Sequence, residues 1–203
     1  ELINVGDEVT ISCAEGETGN VYSGKLKYHI DKLDVPKNIS LPVKLMLNIG
    51  NPEIAFENSL IPNNGVGLAR LEFIVSNYIK IHPSALYNYP EVREDIRLKI
   101  YNIIGNYDSG SWYYIKRLAK GISKIASAFY PNDVIVRLSD FKSNEYRNLI
   151  GGDIYEPNEE NPMIGWRGAS RYYSDDYKEA FKLECEAIKY ARDIMKMTNI
   201  VVM

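Results

Sequence analysis

Four short, predominantly apolar runs divide this 203-residue chain, and their arrangement limits the possible folds most strongly. The runs lie at residues 43–49, 66–73, 134–136 and 200–203, with longer segments between them. Parallel strands are apolar throughout because helices cover both faces of their sheet. The alternation of strands and helices therefore predicts an α/β fold with a parallel sheet. Four such units fit the first half of an eight-stranded TIM-type β/α barrel or an open sheet, and periodicity alone does not choose between them.

Three longer segments have apolar residues three and four positions apart, which predicts amphipathic helices. The helices are predicted over residues 90–104, over 111–129 with Ser111 as the N-cap, and over 177–197. The residues predicted to face inward are Val92, Ile96, Ile100 and Ile103 in the first helix, Ile115, Leu118, Ile122, Ile125 and Phe129 in the second, and Phe181, Cys185, Ile188, Ala191 and Met195 in the third. The polar stretch at 139–162 is predicted to be a long loop, and loops of this length are usually functional or disordered.

The first 28 residues have a different pattern and predict a small β unit with a turn at residues 16–19. A domain boundary is expected near residues 28–40, which include a polar connection at residues 34–40. Because the chain does not begin with Met and ends on an apolar run, we expect it to be a segment of a longer protein. An open sheet edge at residues 200–203 would invite pairing with another chain, which predicts a homo-oligomer or a poorly ordered tail.

Composition argues against several classes of function. The net charge is −3 and no basic run is present, so we expect no nucleic-acid partner. No apolar run approaches the roughly 20 residues that cross a bilayer, so we expect no membrane partner. Cys13 and Cys185 lie far apart and neither belongs to a C-x-x-C pair, which favours a reduced, cytoplasmic compartment.

Two arginines stand out because each lies in or directly after an apolar run. Arg70 lies inside the second run, and Arg137 follows the third. A buried charge is costly unless it is paired or liganded. One interpretation is structural ion pairing, for Arg70 with Glu72 or another carboxylate. The other is a clamp at the carboxyl ends of two adjacent strands that binds a phosphate or carboxylate through the guanidinium forks.

The remaining candidates are interpreted as structural. Asp140 is expected to orient Arg137 or to cap a turn, and Arg167 is expected to brace its loop rather than to contact a substrate. Asp140, Glu145 and Asp153 lack a regular metal-ligand spacing. His29 and His82 are expected to have no nearby base or ligand partner and are predicted to be structural. The sixteen tyrosines are expected to cover helix surfaces.

Several segments together carry a resemblance to a known family. Residues 65–74 (GVGLARLEFI), followed by 82–86 (HPSAL), and residues 134–146 (VIVRLSDFKSNEY) resemble the first and second arginine motifs of the phosphoenolpyruvate (PEP) synthase family of PEP-utilising enzymes. Residues 161–168 (NPMIGWRG) resemble a third block, and 8–24 look like the tail of the swivelling phosphohistidine domain. The match is collinear and covers nearly the whole chain. Leu71 and Leu138, which follow the two arginines, favour the synthase over pyruvate phosphate dikinase.

The resemblance implies a domain plan and a reaction. Residues 1–29 would be the C-terminal tail of the phosphohistidine domain, and residues 30–203 the N-terminal half of the PEP/pyruvate-binding β/α barrel. The family forms PEP from pyruvate and ATP, with AMP and phosphate as products, through a phosphohistidine and with Mg²⁺. By motif match, Arg70 and Arg137 would bind the phosphoryl group. Asp140, Arg167 and Glu72 are expected to lie next to these arginines and to help position them, without binding the phosphoryl group directly.

The same resemblance implies parts that this sequence lacks. It contains no phosphohistidine motif, and the family's magnesium ligands and acid–base cysteine are expected beyond Met203; Cys185 is not that cysteine. We therefore expect no catalytic residue in this segment and no synthase activity from it alone. Two alternatives stay open: a fragment of pyruvate phosphate dikinase, and a non-catalytic assembly module.

Overall fold

A computed structural model describes residues 3–15, 18–32 and 41–203, which belong to two compact units, Glu1–Ser40 and Leu41–Met203. In the first unit, β1 (Val9–Ser12) pairs antiparallel with β2 (Asn20–Ser23), as the predicted β unit requires. Part of the predicted turn, residues 16 and 17, and the polar connection at 34–40 lie outside the described residues.

The second unit contains a four-stranded parallel sheet. Its strands are β3 (Leu47–Ile49), β4 (Val66–Arg70), β5 (Val134–Arg137) and β6 (Ile200–Val202), and they lie side by side in chain order. Each of the three neighbouring pairs is parallel. The predicted parallel α/β sheet is therefore confirmed. In the described part of the chain the sheet is open, with β3 and β6 at its edges.

Two strands are several residues shorter than predicted. β3 begins at Leu47 instead of residue 43. β4 ends at Arg70, because helix α2 (Leu71–Ile74) begins at the next residue and continues as a π-type turn, Val75–Ile79. The apolar residues after Arg70 therefore belong to a helix that packs into the core, where Leu71 and Ile74 are buried.

Helices connect the strands. Between β3 and β4 lie a 3₁₀ turn, Pro52–Ile54, and α1 (Ala55–Ser59). After α2 come α3 (Pro83–Tyr87), α4 (Glu94–Ile104) and α5 (Gly110–Phe129). The segment predicted as one long loop contains α6 (Ser143–Arg147) and α7 (Gly152–Tyr155), so that prediction was wrong; α8 (Ala169–Tyr172) and α9 (Lys178–Asp193) follow. No helix in the described residues combines the length and the apolar character needed to cross a membrane.

The core lies between the sheet and its helices, and it tests the predicted helix faces. In α5 all five predicted inward residues are buried, but Ser109, not Ser111, is the N-cap, and its Oγ accepts from the Trp112 N–H (3.1 Å). In α4 the third buried isoleucine is Ile104 instead of Ile103. The inward face predicted for the last helix was wrong at Cys185, which is exposed; Ile188 and Ala191 are buried, and Phe181 and Met195 are partly buried against the core. The buried residues of α9 are Ala180, Leu183, Glu184, Ala187, Ile188 and Ala191.

Candidate functional site

Arg70 and Arg137 meet at the carboxyl edge of the sheet. They are the last residues of β4 and β5, and the ladder register places them directly opposite each other. Neighbouring strands are about 4.8 Å apart, so the two side chains start from adjacent positions. The carboxyl edge is where open α/β sheets and α/β barrels bind their ligands.

Arg137 is held by carboxylates. Its Nη2 donates to Glu72 Oε1 (2.6 Å), and its Nη1 lies 3.9 Å from Asp140 Oδ2. The Arg137 side chain is 30% exposed and that of Glu72 is 14% exposed, so this ion pair is partly shielded from water. Within the described residues, Arg137 Nε and Glu72 Oε2 are buried without a hydrogen-bond partner. Arg137 is thus oriented by the protein and still has an unused donor.

Arg70 is in a different situation. Its backbone belongs to the sheet, but the residue is exposed, and across the described ranges its side chain forms no hydrogen bond or ion pair. The ion pair with Glu72 that the sequence suggested is formed by Arg137 instead. All the donors of the Arg70 guanidinium group are therefore available to a ligand.

Asp140 and Arg167 form a second pair beside the arginines. Arg167 Nη2 and Nε donate to the two carboxylate oxygens of Asp140, at 2.8 and 3.1 Å. This pairing raises the pKa of Arg167, so its charge is secured. Asp140 was expected to orient Arg137, but its shorter contacts are with Arg167. Arg167 also donates to the Met163 carbonyl oxygen (3.4 Å), which agrees with its predicted part in bracing the loop.

A cleft of about 750 Å³ opens at this edge. Four cationic and three carboxylate side chains line it, together with polar and apolar groups that sequence reasoning missed. The lining residues are Arg70, Glu72, Phe73, Ser76, Asn77, Arg137, Asp140, Phe141, Lys142, Glu145, Asn148, Leu149 and Arg167. All five residues selected from the sequence are therefore brought to one cleft, with a small excess of positive charge.

The loop that carries Arg167 is fixed from below. The backbone N–H of Trp166 donates to Glu159 Oε1 (2.8 Å), and the Ser143 hydroxyl donates to the other carboxylate oxygen. These bonds, the Ser143 bond first, lower the pKa of Glu159. They tie α6 to the loop, so this side of the cleft is built on a braced segment.

A sealed cluster lies next to this loop. Arg171 on α8 donates from both terminal nitrogens to Glu156, at 2.5 and 2.7 Å, and also to the Trp166 carbonyl oxygen (3.0 Å). Its guanidinium group lies over the rings of Trp166, Tyr146 and Tyr177, at 4.1, 4.7 and 5.0 Å. Arg171 is 1% exposed, and Tyr146 and Tyr177 are buried as well, so the expectation that tyrosines cover helix surfaces was wrong here.

His82 completes the cluster. Its Nδ1 accepts from the Ser84 N–H (3.1 Å), so Nε2 carries the proton and donates to Glu156 Oε1 (2.9 Å). Burial is the main reason that the pKa of His82 is lowered, so the ring is neutral. The prediction that His82 has no base nearby was therefore wrong, because Glu156 lies 74 positions away in sequence. His29 Nε2 lies 3.1 Å from Asp31 Oδ1, and both side chains are exposed in the first unit.

The described residues offer no prepared metal centre. Within them, no three His, Cys, Asp or Glu side chains form a group that could hold a metal ion. In the cleft, Glu72 Oε1 accepts from Arg137 and from the Asp140 N–H (2.7 Å), and both carboxylate oxygens of Asp140 accept from Arg167. The described residues of the cleft therefore do not form a Mg²⁺ site by themselves.

Comparisons with known proteins agree with the resemblance seen in the motifs. Residues 28–203 match the family described as PEP-utilising enzyme, PEP-binding domain. Over its whole length the chain is 54% identical to a phosphoenolpyruvate synthase of Deinococcus radiodurans and 49% identical to one of Escherichia coli, covering 26% of each. A probable phosphoenolpyruvate synthase of Staphylothermus marinus is 38% identical, with 24% of its length covered.

The chain thus spans about a quarter of the length of the curated relatives it matches. The family resemblance inferred from the arginine motifs is confirmed. The chain belongs to the PEP-utilising enzymes, and residues 28–203 correspond to their PEP-binding domain.

Proposed function

We propose that this chain is part of a phosphoenolpyruvate synthase, in which its cleft binds the phosphoryl group that is transferred to pyruvate. The complete reaction would form PEP from pyruvate and ATP, with AMP and phosphate as products, through a phosphohistidine. The names and the identities of the relatives support this proposal. The ATP site, the phosphohistidine and the ligands of Mg²⁺ would lie in the part of the relatives that this chain does not match.

One observation carries the proposal: two arginines end neighbouring parallel strands and face the same cleft. Phosphoryl transfer spreads negative charge over the equatorial oxygens, and fixed cations stabilise that charge. Arg137 is oriented in advance by Glu72, and Arg70 has no competing partner in the described residues. A dianionic phosphoryl group could accept from both guanidinium groups at once.

The proposal also extends to the fold. The side of the sheet that faces away from the core carries partly exposed apolar residues, including Leu68, Ile135 and the half-exposed Val201. In a β/α barrel this side would line the interior, where side chains from all eight strands pack in layers. The four strands would then be the first half of the barrel, and β6 would pair with a fifth strand.

Three further expectations accompany this assignment. In the chain taken alone, β6 has an edge that no strand of the described residues covers, which supports association with a second copy, so we expect a homo-oligomer. A monomer in light scattering would contradict that expectation. The free thiols of Cys13 and Cys185 agree with a cytoplasmic setting. The chain alone is expected to form no PEP from pyruvate and ATP.

Titration calorimetry with PEP and with inorganic phosphate tests the binding site. We expect binding by the chain and a loss of about tenfold or more in both Arg70→Lys and Arg137→Lys, because Lys lacks the bidentate fork. Arg97→Lys is the matched control, since Arg97 is an exposed arginine on α4 away from the cleft. Equal binding by all variants would instead favour a non-catalytic assembly module. A dikinase would differ by requiring phosphate as a co-substrate in the full-length enzyme.

A further inference from the structure

Glu184 is an acidic residue in an apolar environment. It lies on the inward side of α9, among Leu183, Ala187 and Ile188, and is 1% exposed. Within the described residues no Lys, Arg or His forms an ion pair with it. A buried carboxyl group without a countercharge is costly unless hydrogen bonds satisfy it. Its position therefore needs an explanation other than packing.

Both carboxylate oxygens of Glu184 are used on one residue, Ser139. The backbone N–H of Ser139 donates to Oε1 (2.8 Å), and its hydroxyl donates to Oε2 (2.5 Å). The Tyr172 hydroxyl donates to the Ser139 carbonyl oxygen (2.7 Å), and the Ser139 Oγ lies 3.0 Å from the Tyr146 hydroxyl. Every polar atom of Ser139 is thus held by the protein.

Ser139 lies at a critical place for the cleft. It is two residues after Arg137 and immediately before Asp140, at the point where β5 ends. Asp140 in turn donates its backbone N–H to Glu72, the carboxylate that orients Arg137. A shift of Ser139 would therefore move Asp140 and loosen the Glu72 contact that fixes the Arg137 guanidinium group.

We propose that Glu184 is a positioning residue for the phosphoryl-binding arginines: through its two hydrogen bonds to Ser139 it fixes the turn that joins Arg137 to Asp140. This inference rests on the proposed function of the cleft. Glu184 itself touches no ligand, because it lies beneath the turn and does not line the cleft. Burial, as the main cause, raises the pKa of Glu184 to about 7, so the same two bonds must also be compatible with a neutral group at slightly acid pH.

Three substitutions test the role. Glu184→Leu keeps the helix and removes both hydrogen bonds, and we expect the affinity for PEP and phosphate to fall about tenfold. Glu184→Gln can still accept from the Ser139 N–H and donate to its Oγ, so affinity should stay within about twofold of that of the unmodified chain. Ser139→Ala removes only the hydroxyl bond and should weaken binding about threefold. Glu186→Gln, at an exposed position of the same helix, is the control without effect.

A second readout does not depend on a ligand. Two-dimensional ¹H–¹⁵N NMR spectra would follow the Asp140 amide and the Arg137 Nε–H signals, which should shift in Glu184→Leu and Ser139→Ala but not in Glu184→Gln or Glu186→Gln. If Glu184→Leu does not fold, Ser139→Ala carries the test. Unshifted signals and unchanged affinity in the folded variants would overturn the inference. If the unmodified chain binds neither ligand, the proposed function fails, and the NMR signals still decide whether Glu184 positions the turn.

Discussion

The two arginines Arg171 and Arg70 differ in the burial and in the hydrogen bonding of their side chains. Arg171 is sealed among aromatic rings, and its donors are used by Glu156 and the Trp166 carbonyl oxygen. Arg70 is exposed at the end of β4 and has no partner in the described residues. Arg137 is intermediate, with one strong carboxylate contact and one buried, unused donor.

This comparison teaches how to separate structural from ligand-binding arginines. Burying a charged pair is tolerated only when hydrogen bonds satisfy it nearly completely, and the Arg171 cluster meets that condition. A guanidinium group left open in a cleft contributes nothing to folding that would explain its position. We therefore expect Arg171 to contribute mainly to stability, Arg70 mainly to ligand binding, and Arg137 to both. Substitution of each arginine can measure these contributions.

The largest effect on stability is expected at Arg171. Arg171→Met should lower the free energy of unfolding by about 3–5 kcal/mol, because Glu156 would stay buried without a countercharge. Urea unfolding of the variant and of Arg97→Met measures this difference. The Arg97 side chain makes an exposed contact with Glu94 (3.6 Å) and no other ion pair in the described residues, so its loss should cost well under about 1 kcal/mol. Equal costs for the two variants would remove the distinction between sealed and open arginines.

Glu184 differs from the Arg171–Glu156 pair because neutral groups, not a countercharge, form its hydrogen bonds. We therefore expect its contribution to stability to depend on pH. The pKa of Glu184 is about 7 in the folded chain against 4.5 as the ordinary value, so the unfolded chain releases this proton at lower pH. The stabilising contribution is present below pH 4.5 and is lost as pH rises towards 7. Nearby Tyr114 and Tyr146 stay neutral, because burial raises their pKa values.

Glu184→Gln removes this titration. Relative to the unmodified chain, the variant should gain about 2–3 kcal/mol in unfolding free energy between pH 5 and pH 8. Urea titrations at both pH values give the difference, and Glu186→Gln serves as the exposed control on the same helix. A difference that stays constant with pH would show that Glu184 ionises normally in the folded chain.

An intermediate effect is expected at Arg137. Arg137→Met removes the charge-assisted bond to Glu72 and should cost about 1.5–3 kcal/mol, less than Arg171→Met because Glu72 keeps the Asp140 N–H and some solvent. The same variant should bind phosphate about tenfold or more weakly. Denaturation and calorimetry on one preparation measure both quantities. If the free energy of unfolding fell as much as in Arg171→Met, Arg137 would be a structural arginine like Arg171.

The sequence predicted the parts of the fold that depend on local pattern. Apolar, β-branched runs located the four parallel strands, and the position of Arg137 after its run placed it correctly at a strand end. The prediction for α9 found the buried Ile188 and Ala191 but missed Glu184, because this buried carboxyl group interrupts the apolar period and is satisfied by Ser139, 45 positions away. The Glu156 contact of His82 is equally remote in sequence. Hydrogen bonds between polar residues far apart in the sequence produce no periodic pattern from which they could be predicted.

The smallest effect on stability is expected at Arg70, and it gives the comparison its sharpest form. Arg70→Gln should change the unfolding free energy by no more than about 0.5 kcal/mol, because in the described residues no partner loses a contact. Its affinity for PEP and phosphate should nevertheless fall by about tenfold or more, since a charge-assisted bidentate contact is lost. Raising the salt concentration should reduce the difference in affinity between the unmodified chain and the variant, because Arg70 is exposed and its charge is screened. If Arg70→Gln lost stability but kept its affinity for PEP and phosphate, Arg70 would be a structural residue like Arg171. It would then not be a cation that binds the ligand in the cleft.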